Sequence, residues 1–290
     1  SLKSILPVRS FIKFVPVDSY RNGPFSFFLW QFYYVNHFCQ KFSADLLFVP
    51  GGIYLGSFRP FVSMCQNMAP YTPHLFLMYL WPITSTPRIL KLLLTHLFNV
   101  ITFSQSLGVV FLTDYAKRQV CSLPYLRISS SIIIPHGISS QFNSEKKIKG
   151  FEISKLKYNA IYVASYEPYH HQINVIKAIA HVRRNPSYDI KLNLYGYIYL
   201  PYYKIIKNFI IKNKYQSWAL LHKPIPYSEI HKAYNESDFG IFASSCENLP
   251  NSLLELMASG IPLVSSSYEP MASIFPLDIC QFDPFSYMSL

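Results

Sequence analysis

The chain has 290 residues, half of them hydrophobic and only 14% charged, which excludes a disordered chain and allows sizeable cores. The net charge of +11 favours anionic partners, yet no zinc-finger, homeodomain or RNA-recognition pattern accompanies it, so a nucleic-acid polymer is not expected as a partner. Five cysteines without a CxxC pair argue against a disulfide framework or a metal site and favour a reducing, cytoplasmic compartment.

The first half of the chain is predicted to contain helices and four short strands. The aromatic stretch 25–42 is predicted to be a helix. Residues 92–113 are uncharged, but their Thr, His, Asn and Gln side chains are costly in lipid, so we expect a helix that leads into a buried strand. The predicted strands are 45–50, 61–67, 108–114 and 131–135.

The second half alternates regularly between strands and helices. Strands are predicted at 159–165, 190–196, 218–223, 239–245 and 261–266, and helices at 172–184, 201–214, 228–235 and 251–259. This alternation is typical of a doubly wound parallel sheet, in which ligands bind beyond the carboxyl ends of the strands. We therefore expect the segments after Ser165, Gly196 and Ser245 to surround one crevice. The polar connection 137–157, with its Lys cluster at 146–149, indicates a domain boundary near residue 140.

Residues 246–260 contain the arrangement most suggestive of chemistry. Glu247 lies in a loop after a predicted strand, and Glu255 lies in the helix that follows, which Gly260 terminates. The amino end of that helix offers backbone N–H groups to a phosphate. Glu255 can accept hydrogen bonds from a diol such as ribose, while Glu247 can reach a second ligand group. Two isolated glutamates are most often solvated surface residues, but this combination matches a nucleoside diphosphate sugar.

The 246–260 segment resembles the Glu–seven residues–Glu motif of retaining glycosyltransferases of family four. Residues 134–138, 162–172 and 225–238 resemble the family's linker, its diphosphate loop and the stretch before the motif strand. Residues 44–52 and 64–70 resemble a bacterial surface-polysaccharide assembly subgroup. The resemblance implies a GT-B fold: two Rossmann-like α/β domains with parallel sheets facing a central cleft. It places an acceptor-side domain at 1–140 and a donor-binding domain at 141–290, incomplete at the chain's start and end.

The resemblance also implies roles for individual residues. Glu247 and Glu255 are the implied catalytic residues: Glu255 holds the donor ribose, and Glu247 faces the transferred sugar. The implied donor-binding residues are His170, His171, Asn248, Leu249, Pro250, Asn251, Ser252 and Glu255. The family usually has a Lys where this chain has His170. The implied reaction needs no metal and no cofactor besides its nucleotide-sugar co-substrate.

Five residues are weaker candidates for the acceptor side or the cleft. They are Gly51, Gly52, Asn67, His74 and His136. For the two glycines, a simple turn is the more common interpretation. For each of the other three, a structural hydrogen bond is at least as good an interpretation as contact with a ligand.

The predicted function is transfer of a sugar to a glycan or lipid-linked acceptor with retention of anomeric configuration, in surface polysaccharide biosynthesis. We expect a metal-independent enzyme of the hexosyltransferase class, cytoplasmic or peripheral at the inner face of an anionic membrane. Two alternatives remain open. One is a nucleotide-sugar epimerase, which shares the GT-B architecture. The other is a degenerate, non-catalytic binding protein, which His170 and the apparently missing ends favour.

Overall fold

The computed structural model describes residues 11–12, 26, 29–80, 86–142 and 157–290. The beginning of the predicted aromatic helix and the Lys cluster at 146–149 lie outside these residues. The predicted boundary near residue 140 stays a prediction, since most of the connection it rests on is likewise outside the described ranges.

The first half is built around a four-stranded parallel sheet. Its strands are β1 (Leu47–Val49), β2 (Phe61–Cys65), β3 (Gly108–Phe111) and β4 (Ser131–Ile133), and they lie side by side in chain order. All four predicted strands are confirmed, each shorter than predicted. Strand β2, for example, ends before Asn67, whose side-chain oxygen accepts the Ala69 N–H and forms a local turn.

Helices surround this first sheet. A π-helix, Trp30–Val35, continues as α1 (Asn36–Lys41), and α2 (Pro73–Leu80), α3 (Thr86–Gln105) and α4 (Asp114–Cys121) follow. Helix α3 leads into β3 as predicted. Phe103 of α3 packs with Val109 and Phe111 of β3 in the buried core, because β3 is covered by apolar side chains on this side. In the described part of the chain, no helix combines the length and apolar character that crossing a bilayer requires.

The second half contains a six-stranded parallel sheet. Its strands are β5 (Lys157–Val163), β6 (Asp189–Tyr195), β7 (Ala219–His222), β8 (Phe239–Phe242), β9 (Leu263–Ser266) and β10 (Gln281–Phe282), arranged in the order β10-β9-β8-β5-β6-β7. Its helices are α5 (Gln172–Val182), α6 (Leu200–Lys212), α7 (Ile230–Asn235), α8 (Asn251–Ala258) and α9 (Met271–Ile274). The predicted alternation is confirmed, and so is the expected α/β fold with two parallel sheets.

The strand order of the second sheet reverses between β5 and β8. The chain builds β5, β6 and β7 in one direction, then returns to the other side of β5 to build β8, β9 and β10. Both strands end at the same edge because they run parallel. The loops after β5 and β8 therefore diverge there and leave a crevice, the usual ligand position in an open α/β sheet.

Candidate functional site

A cavity of about 220 Å³ lies at the carboxyl ends of β5 and β6. Its lining includes Val163, Ala164 and Ser165 after β5, Tyr195, Gly196 and Tyr197 after β6, Pro224, Ile225 and Tyr227 after β7, and Ser252 and Glu255 from α8. The expectation that the segments after Ser165 and Gly196 meet at one crevice is confirmed. In the segment after Ser245, the residues that line the cavity are Ser252 and Glu255 of α8, and Ser245 itself does not line it.

Gly196 is required where the loops of this cavity approach each other. A Cβ at this position would stand 1.9 Å from the carbonyl oxygen of Ala164, closer than any real contact. Only glycine therefore lets the end of β6 pass this closely beside the end of β5. The close approach sets the floor of the cavity.

A second cavity of about 210 Å³ adjoins the first. His136, Gly137, Ile138, Tyr227, Asn251 and Glu255 line it. Tyr227 and Glu255 belong to both cavities, so the two form a continuous region along the amino end of α8. His136, a weak candidate from the sequence, lies in this region and is exposed.

Glu255 is the carboxylate common to both cavities, although the residue is only 8% exposed. Burial raises the pKa of its carboxyl group above the ordinary value, and a hydrogen bond from the Tyr234 hydroxyl, 3.3 Å from Oε2, partly offsets that rise. The same burial, together with the Glu255 charge, raises the pKa of Tyr234 well above its ordinary value, so Tyr234 remains a donor. A carboxylate held in this way has capacity left to accept hydrogen bonds from a ligand.

The amino end of α8 is open toward the second cavity. The residue before the helix is Pro250, which provides no side-chain hydrogen bond to the first-turn amides, and Asn251 lies on the cavity wall. Unsatisfied N–H groups at a helix start favour an anion. Leu249 is half-buried and Pro250 is buried, so these two predicted donor-site residues contribute backbone and packing.

His170 and Glu247 meet where the loops after β5 and β8 diverge. His170 Nε2 is 3.2 Å from Glu247 Oε1, and His170 Nδ1 is 2.7 Å from the carbonyl oxygen of Ser165. Both ring nitrogens of His170 therefore lie within hydrogen-bond distance of an oxygen atom. These contacts hold the Glu247 carboxylate beside the ring. Neither residue lines the two cavities themselves; Ser165, which contacts His170, does.

His171 faces away from this site, in contrast to its predicted donor-binding role. Its Nε2 lies 2.8 Å from Ser245 Oγ, which His74 of the first half approaches at 3.2 Å. Burial, followed by the charges of His170 and His74, lowers the pKa of His171 to about 3. The ring is thus neutral at pH 7 and adds no positive charge for a diphosphate. A backbone φ of 48° directs this residue away from its neighbour.

Asn248 is also engaged with the first half. Its Nδ2 donates to the carbonyl oxygen of Cys65 at 2.7 Å, and its Oδ1 is 3.4 Å from Thr113 Oγ1. The predicted donor contact is therefore left to the backbone N–H of Asn248, because both ends of its side chain are occupied. Together with His74, Ser245 and His171, these contacts form a boundary between the two halves that we call the seam.

The remaining first-half candidates lie in local structure. Gly52 has a φ of 78°, and a Cβ there would press on Asn99 and the Met64 carbonyl, so its glycine is needed for packing. Gly51 faces open space. Asn67 forms the turn already described, and His74 belongs to the seam rather than to the two cavities.

Sequence reasoning missed Tyr227, which both cavities share, and Arg88, which closes the seam. The segment after β7 follows the same edge rule as the other loops, so Tyr227 could have been found. Arg88 could not have been found in this way, because its partner Glu167 is 79 residues away in the chain. Arg88 Nη1 lies 2.8 Å from Glu167 Oε2, and the guanidinium lies 3.7 Å from the centroid of the Tyr199 ring. Across the described ranges, no group of three or more His, Cys, Asp or Glu side chains could hold a metal ion.

Comparisons with known proteins bear on the fold and on the enzyme class. Residues 143–279 match the family model described as Glycosyl transferases group 1. No curated protein sequence matches the chain significantly. Among solved structures, a glycosyltransferase from Rickettsia africae is similar with a TM-score of 0.63 and 13% identity, over 95% of this chain and 72% of that one.

Two further solved structures are similar. WaaG, a glycosyltransferase involved in lipopolysaccharide biosynthesis, has a TM-score of 0.64 and 16% identity, over 93% of this chain and 71% of that one. Anabaena HepE in complex with UDP and glucose has a TM-score of 0.60 and 13% identity, over 88% of this chain and 68% of that one. At these identities the likeness establishes the fold, and the family match adds the enzyme class. The chain has the GT-B fold, and its residues 143–279 match the glycosyl transferases group 1 family, which supports glycosyltransferase as its enzyme class.

Proposed function

We propose that the chain transfers a sugar from a nucleoside diphosphate sugar to a glycan or lipid-linked acceptor, with retention of anomeric configuration. The observation that supports this most directly is Glu255, a buried carboxylate that belongs to two adjoining cavities beside an open helix amino end. A ribose diol needs a hydrogen-bond acceptor, and a diphosphate needs amide donors; this region offers both.

The donor is proposed to extend along the two cavities. The ribose would lie at Glu255, and the base would lie in the first cavity, among Tyr197, Pro224 and Ile225. The diphosphate would bind at the amides of Asn251 and Ser252. HepE, whose solved complex contains UDP and glucose, makes a uridine donor the first to try.

The reaction breaks the bond between the sugar's anomeric carbon and the diphosphate and forms a bond from that carbon to an acceptor hydroxyl. The acceptor proton passes to an oxygen of the leaving diphosphate, so a nucleoside diphosphate and a glycosylated acceptor are the products. Glu247, oriented by His170, would face the sugar and stabilise positive charge that develops at the anomeric carbon. We propose that this chemistry needs no metal.

A donor panel tests the proposal. Unfolding temperature is measured with a series of nucleoside diphosphates and their sugars, since a ligand bound only by the folded chain raises it. We expect a shift with at least one donor, and product analysis should show transfer with the donor's anomeric configuration kept. Conversion of the donor without any acceptor would instead identify an epimerase. Binding without either reaction would identify a non-catalytic protein.

Glu247→Gln separates the role of Glu247 from donor binding. Because Glu247 is proposed to face the sugar rather than the nucleotide, we expect the variant to keep its affinity for the nucleoside diphosphate and lose transfer at least 100-fold, about 3 kcal/mol. Glu236→Gln, at an exposed carboxylate directly after α7, is the matched control. Unchanged transfer by the Glu247 variant would remove this residue from the mechanism.

We further propose that the enzyme acts in surface polysaccharide assembly at the inner face of the cytoplasmic membrane. The net charge of +11 supports an anionic surface as a partner. WaaG, the similar structure involved in lipopolysaccharide biosynthesis, supports the same class of process. Transfer to a lipid-linked saccharide presented in vesicles, compared with the same saccharide free in solution, tests this assignment.

A further inference from the structure

Helix α3 turns an apolar face outward. Leu90, Leu93, Leu94 and Leu97 follow the i, i+3, i+4, i+7 spacing of one helix face, and they are 57%, 52%, 43% and 51% exposed. We call these four residues the leucine face. The opposite side of α3 buries Asn99, Thr102 and Phe103. Ile89, Leu92 and Val100 also pack inward against the core, so the helix is apolar on two sides. An ordinary surface helix instead exposes polar residues on its outer side.

The helix that packs against α3 exposes leucines as well. Helix α2 packs against α3, and it also exposes two leucines, Leu77 at 68% and Leu80 at 50%. Single exposed leucines need no explanation, but a stripe over two turns of one helix marks an interaction surface.

Positive charge is concentrated in the half that contains the leucine face. Residues 1–142 include 11 Lys and Arg against 3 Asp and Glu, a net charge of +8, whereas residues 143–290 include 15 against 12, a net charge of +3. No acidic residue occurs between Asp45 and Asp114, and Lys91 is exposed between two members of the leucine face. A partner with negative charge and an apolar interior matches both features.

We propose that the leucine face docks the enzyme onto an anionic lipid surface. The four leucines enter the boundary between headgroups and acyl chains, and Lys91 with the general charge of the first half attracts the headgroups. Helix α3 lies in the plane of the surface, since the four leucines follow one side of the helix along its length. The inference rests on the proposed function in one respect: docking would bring the active site to a lipid-linked acceptor.

Sedimentation with vesicles tests the docking surface. Neutral vesicles contain phosphatidylcholine alone, and anionic vesicles contain phosphatidylcholine with about 30% phosphatidylglycerol. The variant is Leu93→Glu with Leu97→Glu, and the control is Leu200→Glu with Leu277→Glu, which adds the same charge at exposed leucines of the second half. We expect the native chain and the control to bind the anionic vesicles and the leucine-face variant to bind at least tenfold more weakly.

Leu93→Gln with Leu97→Gln separates loss of apolar contact from added negative charge. We expect it also to weaken binding, because the leucines themselves enter the lipid. Equal binding by the native chain and both leucine-face variants would overturn the proposal, and so would failure of the native chain to bind anionic vesicles.

Two measurements separate the other outcomes. Light scattering shows whether the leucine face joins two copies of the chain: a native dimer that the variant makes monomeric, with vesicle binding unchanged, would reject the lipid assignment. Donor-induced stabilisation, measured without vesicles, should be equal in all variants. If no donor stabilises the native chain or any variant, while the native chain still binds anionic vesicles, the proposed function is rejected. The docking surface would then still be supported.

Discussion

The two cavities and the seam lie on two sides of the same loops, but the polar groups on the two sides have different hydrogen-bond partners. At the seam, Ser245, His171 and Asn248 are paired with protein groups and buried. At the cavities, Glu255 and the first amides of α8 retain capacity for a ligand. Burial alone therefore does not identify a functional polar residue. What distinguishes the two sides is whether neighbouring protein groups already satisfy the hydrogen bonds.

Because of this difference, substitutions at the cavities should change donor affinity, whereas substitutions at the seam should change stability. We expect the largest effect at Glu255. Glu255→Ala would remove the two charge-assisted hydrogen bonds that we propose for the ribose diol, so donor affinity should fall roughly 100-fold or more, about 3 kcal/mol. Calorimetric titration with the donor measures this change. Affinity in the native chain should also decline as pH falls, beginning above the ordinary carboxyl range, because burial raises the Glu255 pKa.

Glu255→Gln sharpens the same prediction by keeping the shape of the side chain. Removing a buried charge should leave the unfolding temperature at pH 7 unchanged or higher, since burial disfavours the ionised form. Glu229→Gln, at an exposed position before α7, is the control. A Gln variant that binds the donor as tightly as the native chain would show that donor binding does not need the charge of Glu255.

At the seam, Arg88→Met should change stability instead. Glu167 would be left buried without its cation, and its carboxyl pKa is already raised by burial despite Arg88. Since Arg88 is about one-third exposed, we expect a loss of about 2 kcal/mol in the free energy of unfolding, measured by denaturant titration.

A double-mutant cycle with Glu167→Gln separates the pair from its surroundings. The two substitutions together should cost less than their sum, because each removes the same interaction. Donor affinity should change little in the folded single variants. A large loss of affinity with intact stability would move Arg88 from the seam into the ligand site.

His171 predicts a pH dependence of stability. Its folded pKa of about 3 is below the unfolded value near 6.5, so the unfolded chain binds more protons between these limits. The His171 contribution is complete above pH 6.5 and is lost at about 1.4 kcal/mol per pH unit as the pH falls toward 3. His171→Asn should flatten this acid-side decline, and Asn tolerates the left-handed backbone at this position. His181→Asn, at an exposed position, should leave the slope unchanged.

The sequence predicted the strands and helices that carry the cavities and the seam better than it predicted the contacts between them. Strands and helices followed from periodicity, and the shared edge of parallel strands correctly brought Ser165, Gly196 and the α8 segment together. The seam was not predictable in the same way, because Glu167 and Arg88 are far apart in the chain and their pairing depends on how the halves pack. The same limit applies to His171: adjacency to His170 suggested a shared role, but a single left-handed residue directs the two rings to different sides.

The adjacent residues His170 and His171 also allow the two sides of these loops to be compared. Substitution of His170 should give the smallest change in donor affinity among the changes we expect. His170→Lys keeps a nitrogen donor near Glu247 and the Ser165 carbonyl, so donor affinity should stay within about twofold of the native value. His170→Gln removes the ring that contacts both groups, and we expect affinity to fall about fivefold, near 1 kcal/mol, which is modest because the contact to Glu247 is long. His171→Asn changes the neighbouring ring on the seam side and should leave affinity unchanged in folded protein. If all three variants bind the donor alike, the His170 side chain has no role in holding the diphosphate. If His170→Lys gains turnover that the native chain lacks, histidine at this position is what limits catalysis, because the cavities and Glu255 are the same in both proteins.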